Sequence, residues 1–222
     1  MGNFIKIYKN SLSDDVCDYI IKMINEHEEL TWEGTTSKGV DNRFKISTDL
    51  NLLDLETIDP KVSKEIIPAI RNSVTQGLLK YNREHPVVAG GMTLAGYPEE
   101  ALMEELHKRT VIDPESIICK KYFKEEGFFD WHIDNGSNGW KTNARTLVLM
   151  FYLNDVKEGG ETGFYYQDVE TKPTKGSLVM FPSNWMYLHR GKMPISNDKY
   201  ICNLWLLRRN PMVDNVIANQ NK

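Results

Sequence analysis

The chain has 222 residues, with 41% hydrophobic and 26% charged side chains, the composition of an ordinary globular domain. It excludes disordered, collagen-like and disulfide-scaffold classes. Lys and Arg number 27 and Asp and Glu 31, a formal net charge of −4, which counts against a protein that holds nucleic acid through its phosphates. Cys17, Cys119 and Cys202 are scattered and odd in number, and read as reduced, buried thiols. The N-terminus has no apolar run long enough for a signal peptide, and no stretch reaches the roughly 20 apolar residues of a membrane span. A cytoplasmic protein that meets no membrane is the expectation.

In chain order, residues 3–8 alternate in hydrophobicity and predict a short strand. Ser13-Asp14-Asp15 supplies an N-cap and first-turn acids for a helix running to about Glu29, with Val16, Ile20 and Ile24 on its apolar face. Residues 33–45, rich in Gly, Ser, Thr and charge, predict an exposed loop. Asp59-Pro60 opens a second helix with Ile66, Ile70, Val74 and Leu78 on one stripe, in which Pro68 should cause a kink or a late start. Residues 86–97 read as a connection, and Pro98-Glu99-Glu100 opens a third helix. From about Glu115 the pattern becomes short β-rich runs at 117–119, 146–153, 163–166, 177–181 and 200–207. They are separated by turn residues such as Asn135-Gly136, Gly159-Gly160 and Lys175-Gly176. Such spacing argues for a barrel or a double-sheet jelly roll.

Chemistry concentrates in the β-rich half. In His132-Ile133-Asp134 the first and third side chains share a strand face, so both can reach one ion. His189 follows near the end of another β-rich run, and by itself also reads as a surface histidine. Two histidines and a carboxylate make the facial triad of non-haem Fe(II) oxygenases, which leaves coordination positions open. Lys199, just before the run Tyr200–Leu207, reads either as a solvated edge charge or as the cation for a dicarboxylate, with the Tyr152 hydroxyl as its nominated partner. His27, His85 and His107 lie in helical or polar segments and read as structural.

Tyr122 with Gly127, Trp131-His132-Ile133-Asp134-Asn135, Arg145-Thr146, Tyr152-Leu153-Asn154, Gly159-Gly160-Glu161-Thr162, Gly176 to Pro182, His189-Arg190-Gly191 and Lys199 to Trp205 occur in one order. That ordered set, over about residues 117–208, resembles the 2-oxoglutarate- and Fe(II)-dependent dioxygenases, in their prolyl 4-hydroxylase-like branch. The resemblance implies an α+β protein: a double-stranded β-helix (a distorted jelly roll) supported by N-terminal helices. The expected division is 1–112 as helical support with an edge strand, 113–210 as catalytic core and 211–222 as a tail, all within one domain.

The same resemblance implies that His132, Asp134 and His189 bind Fe(II), and that Lys199 salt-bridges the C5 carboxylate of 2-oxoglutarate. Tyr152 matches a hydrogen-bonding partner of that carboxylate, Tyr122 faces the iron site, and Asn203 looks into the pocket. The implied reaction consumes dioxygen and 2-oxoglutarate and releases succinate and carbon dioxide, with ascorbate as a candidate auxiliary. Halogenating relatives lack a ligating residue at the Asp134 position, so the aspartate points to hydroxylation. The expected substrate is a peptidyl residue, proline first; a free amino acid or other small molecule is the alternative. Nucleic-acid dealkylation and a non-catalytic jelly-roll module stand behind both. Trp140, in a loop suited to closing over the substrate, Arg145, and Arg43 in a second such loop are the candidate substrate contacts.

Overall fold

A computed structural model describes residues 4–36, 38–85, 96–136 and 139–220. In chain order the N-terminal half holds β1 (Lys6–Tyr8), α1 (Asp14–Glu26), β2 (Trp32–Glu33), β3 (Thr35–Thr36), β4 (Gly39–Val40), β5 (Lys45–Ile46), β6 (Thr48–Asn51), α2 (Ile67–Glu84) and α3 (Glu99–Arg109). The C-terminal half holds β7 (Thr110–Ile112), β8 (Ile118–Tyr122), β9 (Phe128–His132), α4 (Trp140–Ala144), β10 (Arg145–Tyr152), β11 (Thr162–Phe164), β12 (Val169–Thr171), β13 (Leu178–Pro182), β14 (His189–Gly191), β15 (Lys199–Arg208) and α5 (Pro211–Gln220).

Local chemistry accounts for the helices. The Ser13 hydroxyl accepts from the Val16 N–H and caps α1, satisfying one of the donors a helix start leaves free. The Asp59 carboxylate accepts from the Lys61 N–H. Residues Val62–Ile66 then form a π-helical turn that runs into α2. Pro68 lies in the first turn of α2. It has no N–H to donate backward and its ring crowds the preceding carbonyls, so the chain enters through a wide turn instead of a kinked helix. Pro86, Gly90 and Gly91, read from sequence as part of a connection, lie outside the described residues. Residues 211–220, expected as a tail, form α5, whose Val213 is buried in the core.

Two antiparallel sheets form the core. The larger runs β1-β13-β10-β15-β8-β6-β2, with β7 pairing the end of β15. The smaller runs β12-β11-β14-β9-β5. The period-2 alternation of the central strands sorts side chains to two faces. Leu147, Leu149 and Phe151 of β10 and Cys202, Leu204 and Leu206 of β15 pack on Cys17, Ile20 and Ile24 of α1 and on Ile70, Val74 and Leu78 of α2. Val148, Met150 and Tyr152 of β10 and Ile201, Trp205 and Leu207 of β15 join Phe164 of the smaller sheet in a second cluster. Each fully buried aliphatic side chain contributes about 1.5–3 kcal/mol relative to exposure, so the helical layer stiffens the sheet on whose opposite face the chemistry lies.

Residues 33–45 depart from the expectation of an exposed loop. They form β3, β4 and the start of β5, and Lys45 at their end is only 2% exposed. β5 pairs β9, with Lys45 opposite Phe129. This pairing across the smaller sheet is non-local, and no periodicity within a two-residue strand can announce it. Cys17, Cys119 and Cys202 are free and buried. No helix among the described residues is long and apolar enough to cross a membrane.

Candidate metal centre

β9 and β14 pair so that His132 and His189 are Cα partners. Asp134 follows the end of β9, where the side chain of Asn135 donates to the Arg145 carbonyl and the Asn135 N–H to the Ser183 carbonyl. These bonds hold the turn against the start of β10. One donor atom from each of His132, Asp134 and His189 falls within 4.8 Å of the other two. The imidazole centroids are 4.2 Å apart, and His189 Nε2 is 3.6 Å from Asp134 Oδ2.

Each imidazole is oriented by a backbone carbonyl: His132 Nδ1 lies 2.7 Å from the Asp130 oxygen and His189 Nδ1 2.9 Å from the Tyr187 oxygen. A neutral ring that donates from Nδ1 presents its Nε2 lone pair to a cation. Burial first, and then the neighbouring His189, hold the His132 ring well below the usual histidine range; burial also lowers His189. Burial pulls the Asp134 carboxyl upward, but His189, His132 and Arg145 outweigh it and keep the group below its ordinary value. The Arg145 guanidinium donates to the Asp134 carbonyl and lies over the Trp205 ring. The centre thus presents two neutral nitrogen donors and one carboxylate, and these residues can hold one divalent cation. Phe129 stacks on His132 with centroids 3.4 Å apart, fixing the plane of the first ligand ring.

The centre opens into a cavity of about 570 Å³ whose lining includes His132, Asp134, Lys45, Lys120, Arg145 and Trp205. Lys199, which is not among the lining residues, stands opposite Tyr122 in the β8–β15 register and is 1% exposed. Its Nζ is 5.1 Å from the Tyr122 ring centroid and 5.8 Å from that of Tyr152. A Cβ placed on Gly191, two residues beyond His189, would stand 3.7 Å from the same nitrogen. Among the described residues no carboxylate comes within ion-pair distance of Lys199. Burial drives its pKa from 10.5 to about 7, against a smaller opposing pull from Glu161.

The other expected site residues fall in several places. Tyr122 and Tyr152 are buried, and burial raises both phenols, Tyr152 to about 12. The Tyr152 hydroxyl is engaged with the side-chain oxygens of Thr162 and Thr171, each at 2.8 Å, and lies 3.0 Å from the Thr171 carbonyl. Its ring, rather than a free hydroxyl, is what flanks Lys199. Asn203 points its Oδ1 into the interior with no hydrogen-bond partner among the described residues. Arg145 lines the cavity. Trp140 and Arg43 do not. Trp140 is 38% exposed on α4, where the adjacent Lys141 pairs with Asp113 at 3.0 Å and Glu115 at 3.2 Å. Arg43 projects into solvent and bonds Asp41, while Phe44 and Lys45 beyond it turn into the cavity. Lys45, Asp49, Lys120 and Phe129 escaped the sequence reading. Period-2 spacing from Tyr122 would have flagged Lys120 as inward-facing, but nothing in the sequence joins it to residues 45 and 49.

Residues 117–207 match the family model of the 2OG-Fe(II) oxygenase superfamily. This chain carries a 2OG-Fe(II) oxygenase core. It is an enzyme of the 2-oxoglutarate/Fe(II) dioxygenase type, and the superfamily implies dependence on Fe(II), 2-oxoglutarate and dioxygen. Among curated proteins none matches the chain. Among solved structures, a viral collagen prolyl hydroxylase from Paramecium Bursaria Chlorella virus-1, in complex with 2-oxoglutarate, is similar at 20% identity and a TM-score of 0.61, over 94% of this chain and 98% of that one. A Trichoplax adhaerens prolyl hydroxylase, in complex with a hypoxia inducible factor oxygen degradation domain peptide fragment, is similar at 19% identity and a TM-score of 0.65, over 92% and 84%. A Pseudomonas putida prolyl-4-hydroxylase follows at 15% and 0.57, over 92% of each chain. At these identities the likeness establishes a shared fold: the two sheets of the oxygenase form a double-stranded β-helix.

Proposed function

We propose that this oxygenase hydroxylates a peptidyl residue, proline first, with succinate and carbon dioxide as co-products. The observation that carries the reading is the convergence of His132, Asp134 and His189, one donor atom from each within 4.8 Å of the others, with His132 and Asp134 lining an open cavity. The fold shared with three prolyl hydroxylases, one of them in complex with a peptide, supports the choice of substrate. Catalysis is assigned to residues 113–210 with 1–112 as their support, and ascorbate is carried as an auxiliary reductant. The three buried free cysteines support a reducing, cytoplasmic setting.

The donor set fits Fe(II). Neutral imidazoles and a carboxylate suit a borderline divalent ion and leave positions open for cosubstrates. Lys199 fits a dianionic cosubstrate, being a buried ammonium between two aromatic rings with no carboxylate partner of its own among the described residues. Bound iron, with 2-oxoglutarate and dioxygen, supplies the oxidising chemistry that inserts oxygen into a carbon–hydrogen bond. The chain does the rest. His132, Asp134 and His189 would hold the ion, with the imidazole rings oriented by the carbonyls of Asp130 and Tyr187 and by the Phe129 stack. Lys199 would receive the C5 carboxylate of 2-oxoglutarate, whose negative charge favours the protonated ammonium that burial alone disfavours. The Tyr122 and Tyr152 rings exclude water around it, and Thr162 and Thr171 lock Tyr152 in place. Arg145 steadies the backbone of Asp134.

Two measurements test this. Anaerobic Fe(II) and 2-oxoglutarate should give the weak visible band of a chelated keto acid, and His132→Ala should abolish it; the same band in that variant removes His132 from the centre. Succinate release should then be stimulated by proline-containing peptides, whereas stimulation by free compounds alone would replace the peptidyl reading with the small-molecule one.

A further inference from the structure

Lys45 and Lys120 enter the cavity beside the proposed centre from different strands, β5 and β8, and share one acid. Lys45 Nζ donates to Asp49 Oδ2 at 2.7 Å, and Lys120 Nζ lies 3.6 Å from the same oxygen. The other Asp49 oxygen is occupied by the Ser47 hydroxyl at 2.7 Å. All three charged groups are buried, at 2% exposure for Lys45, 7% for Lys120 and 3% for Asp49. A purely structural ion pair matches one ammonium to one carboxylate. Here two ammoniums face one carboxylate, and both lysines line the cavity along with His132 and Asp134. Removing charge from water is costly unless it is compensated, so the surplus positive charge marks a place for an anion.

The remaining charged groups of the cavity leave that surplus intact. The Arg145 guanidinium donates from Nη1 to the Asp134 carbonyl and lies over the Trp205 face, while its Nε has no partner among the described residues; its charge is set against that of Asp134. Asp134 belongs to the centre. Lys141 lies outside the lining and pairs with Asp113 and Glu115. The position of the surplus also limits the ligand. Lys45 Nζ lies 5.2 Å and Lys120 Nζ 6.0 Å from the centroid of the Phe129 ring, the same ring that stacks on His132. An anion docked at the lysines is separated from the first ligand ring by little more than one aromatic ring. One surplus charge suits a carboxylate, which accepts from two ammoniums through its two oxygens.

We propose that Lys45 and Lys120 form a substrate-anchoring subsite for a carboxylate lying a few bonds from the carbon that is oxidised. The inference rests on the assignment of His132, Asp134 and His189 as the catalytic centre, and it narrows the substrate to an acidic one. The carboxylate belongs either to a small acid, such as a free amino acid, or to an acidic residue of a peptide. Lys199 serves the cosubstrate and has no part in this subsite. Asp49 holds the two ammoniums in position and keeps the subsite from carrying two uncompensated charges.

The test uses the full chain loaded with Zn(II) and saturating 2-oxoglutarate, so that binding is read without turnover. The probes are the free L-amino acids and acetyl-capped tripeptides with a central Asp or Glu, each paired with its carboxamide, and affinity is read by ligand-observed NMR. At least one acid should bind tenfold or more tightly than its amide. Lys120→Met should remove that preference and leave the amide's affinity unchanged, while Lys120→Arg should retain it. Lys120→Met leaves the Lys45–Asp49 bond intact, and circular dichroism checks its fold. A preference among free acids identifies a small-molecule substrate and one among tripeptides an acidic peptide; both support the subsite. Equal binding of acid and amide throughout, or no binding by either member of any pair, overturns it. So does a Lys120→Met protein that keeps its preference, or one that loses affinity for 2-oxoglutarate instead. Failure of the underlying centre looks different: the keto-acid band of the Fe(II) enzyme would then survive His132→Ala.

Discussion

Replacing Lys199 with methionine should stabilise the protein in the absence of 2-oxoglutarate while removing most of its response to that cosubstrate. The reason is the cost of a buried ammonium with no carboxylate partner among the described residues. Burial lowers the Lys199 pKa from 10.5 to about 7, and at about 1.4 kcal/mol per pH unit this corresponds to a penalty on the order of 5 kcal/mol on the charged form. Between those two values the unfolded chain holds the proton and the folded chain releases it. The unfolded state therefore binds more protons, and the stability of the native sequence rises with pH across that window. Relative to a neutral side chain of similar shape, the penalty is about 4 kcal/mol at pH 7 and about 1 kcal/mol at pH 10. The advantage of Lys199→Met in urea unfolding should accordingly shrink by about 3 kcal/mol between pH 7 and pH 10. Saturating 2-oxoglutarate with Zn(II) should raise the unfolding midpoint of the native sequence much more than that of the variant. A stability difference that does not change with pH, or equal stabilisation of both proteins by 2-oxoglutarate, would refute the argument that Lys199 is a buried cation awaiting a carboxylate.

Two further predictions concern the frame around the site. Asp49→Asn leaves Lys45 and Lys120 buried without their shared carboxylate, and should cost about 3–5 kcal/mol in urea unfolding at neutral pH; a loss below about 1 kcal/mol would mean that the lysines are solvated in the folded protein. Gly159→Ala should be destabilising by about 2 kcal/mol or more, because Gly159 has φ of +73° and an added Cβ would stand 2.4 Å from the Met193 carbonyl oxygen. If its thermal midpoint is unchanged, the backbone at Gly159 and Met193 separates at no cost and the close approach is not a constraint on the fold.

Local signals made the scaffold legible. The Ser13 cap and the apolar stripe at Val16, Ile20 and Ile24 announced α1, and the alternation in 146–153 and 200–207 announced the two strands at the centre of the larger sheet. The positions of His132, Asp134, His189 and Lys199 could be read because each is a chemically distinctive residue in an ordered run of short motifs. Residue type likewise suggests Trp140 and Arg43 as substrate contacts; Trp140 is exposed on α4 and Arg43 pairs with Asp41, and neither lines the cavity.

By itself the sequence determined the helical support and the β-rich core, since these depend on periodicity, caps and spacing within short stretches, while its metal-binding set was named by the resemblance to the dioxygenases. Only the tertiary structure decided what surrounds them. Tyr152 turns its hydroxyl to Thr162 and Thr171 because strands β11 and β12 fold over it. Lys45, Asp49 and Lys120 meet because β5 joins the smaller sheet beside β9 while β6 and β8 pair in the larger one. Charge surplus in a cavity is a property of side chains brought together from distant positions, and it arises only when sheet pairing buries them side by side.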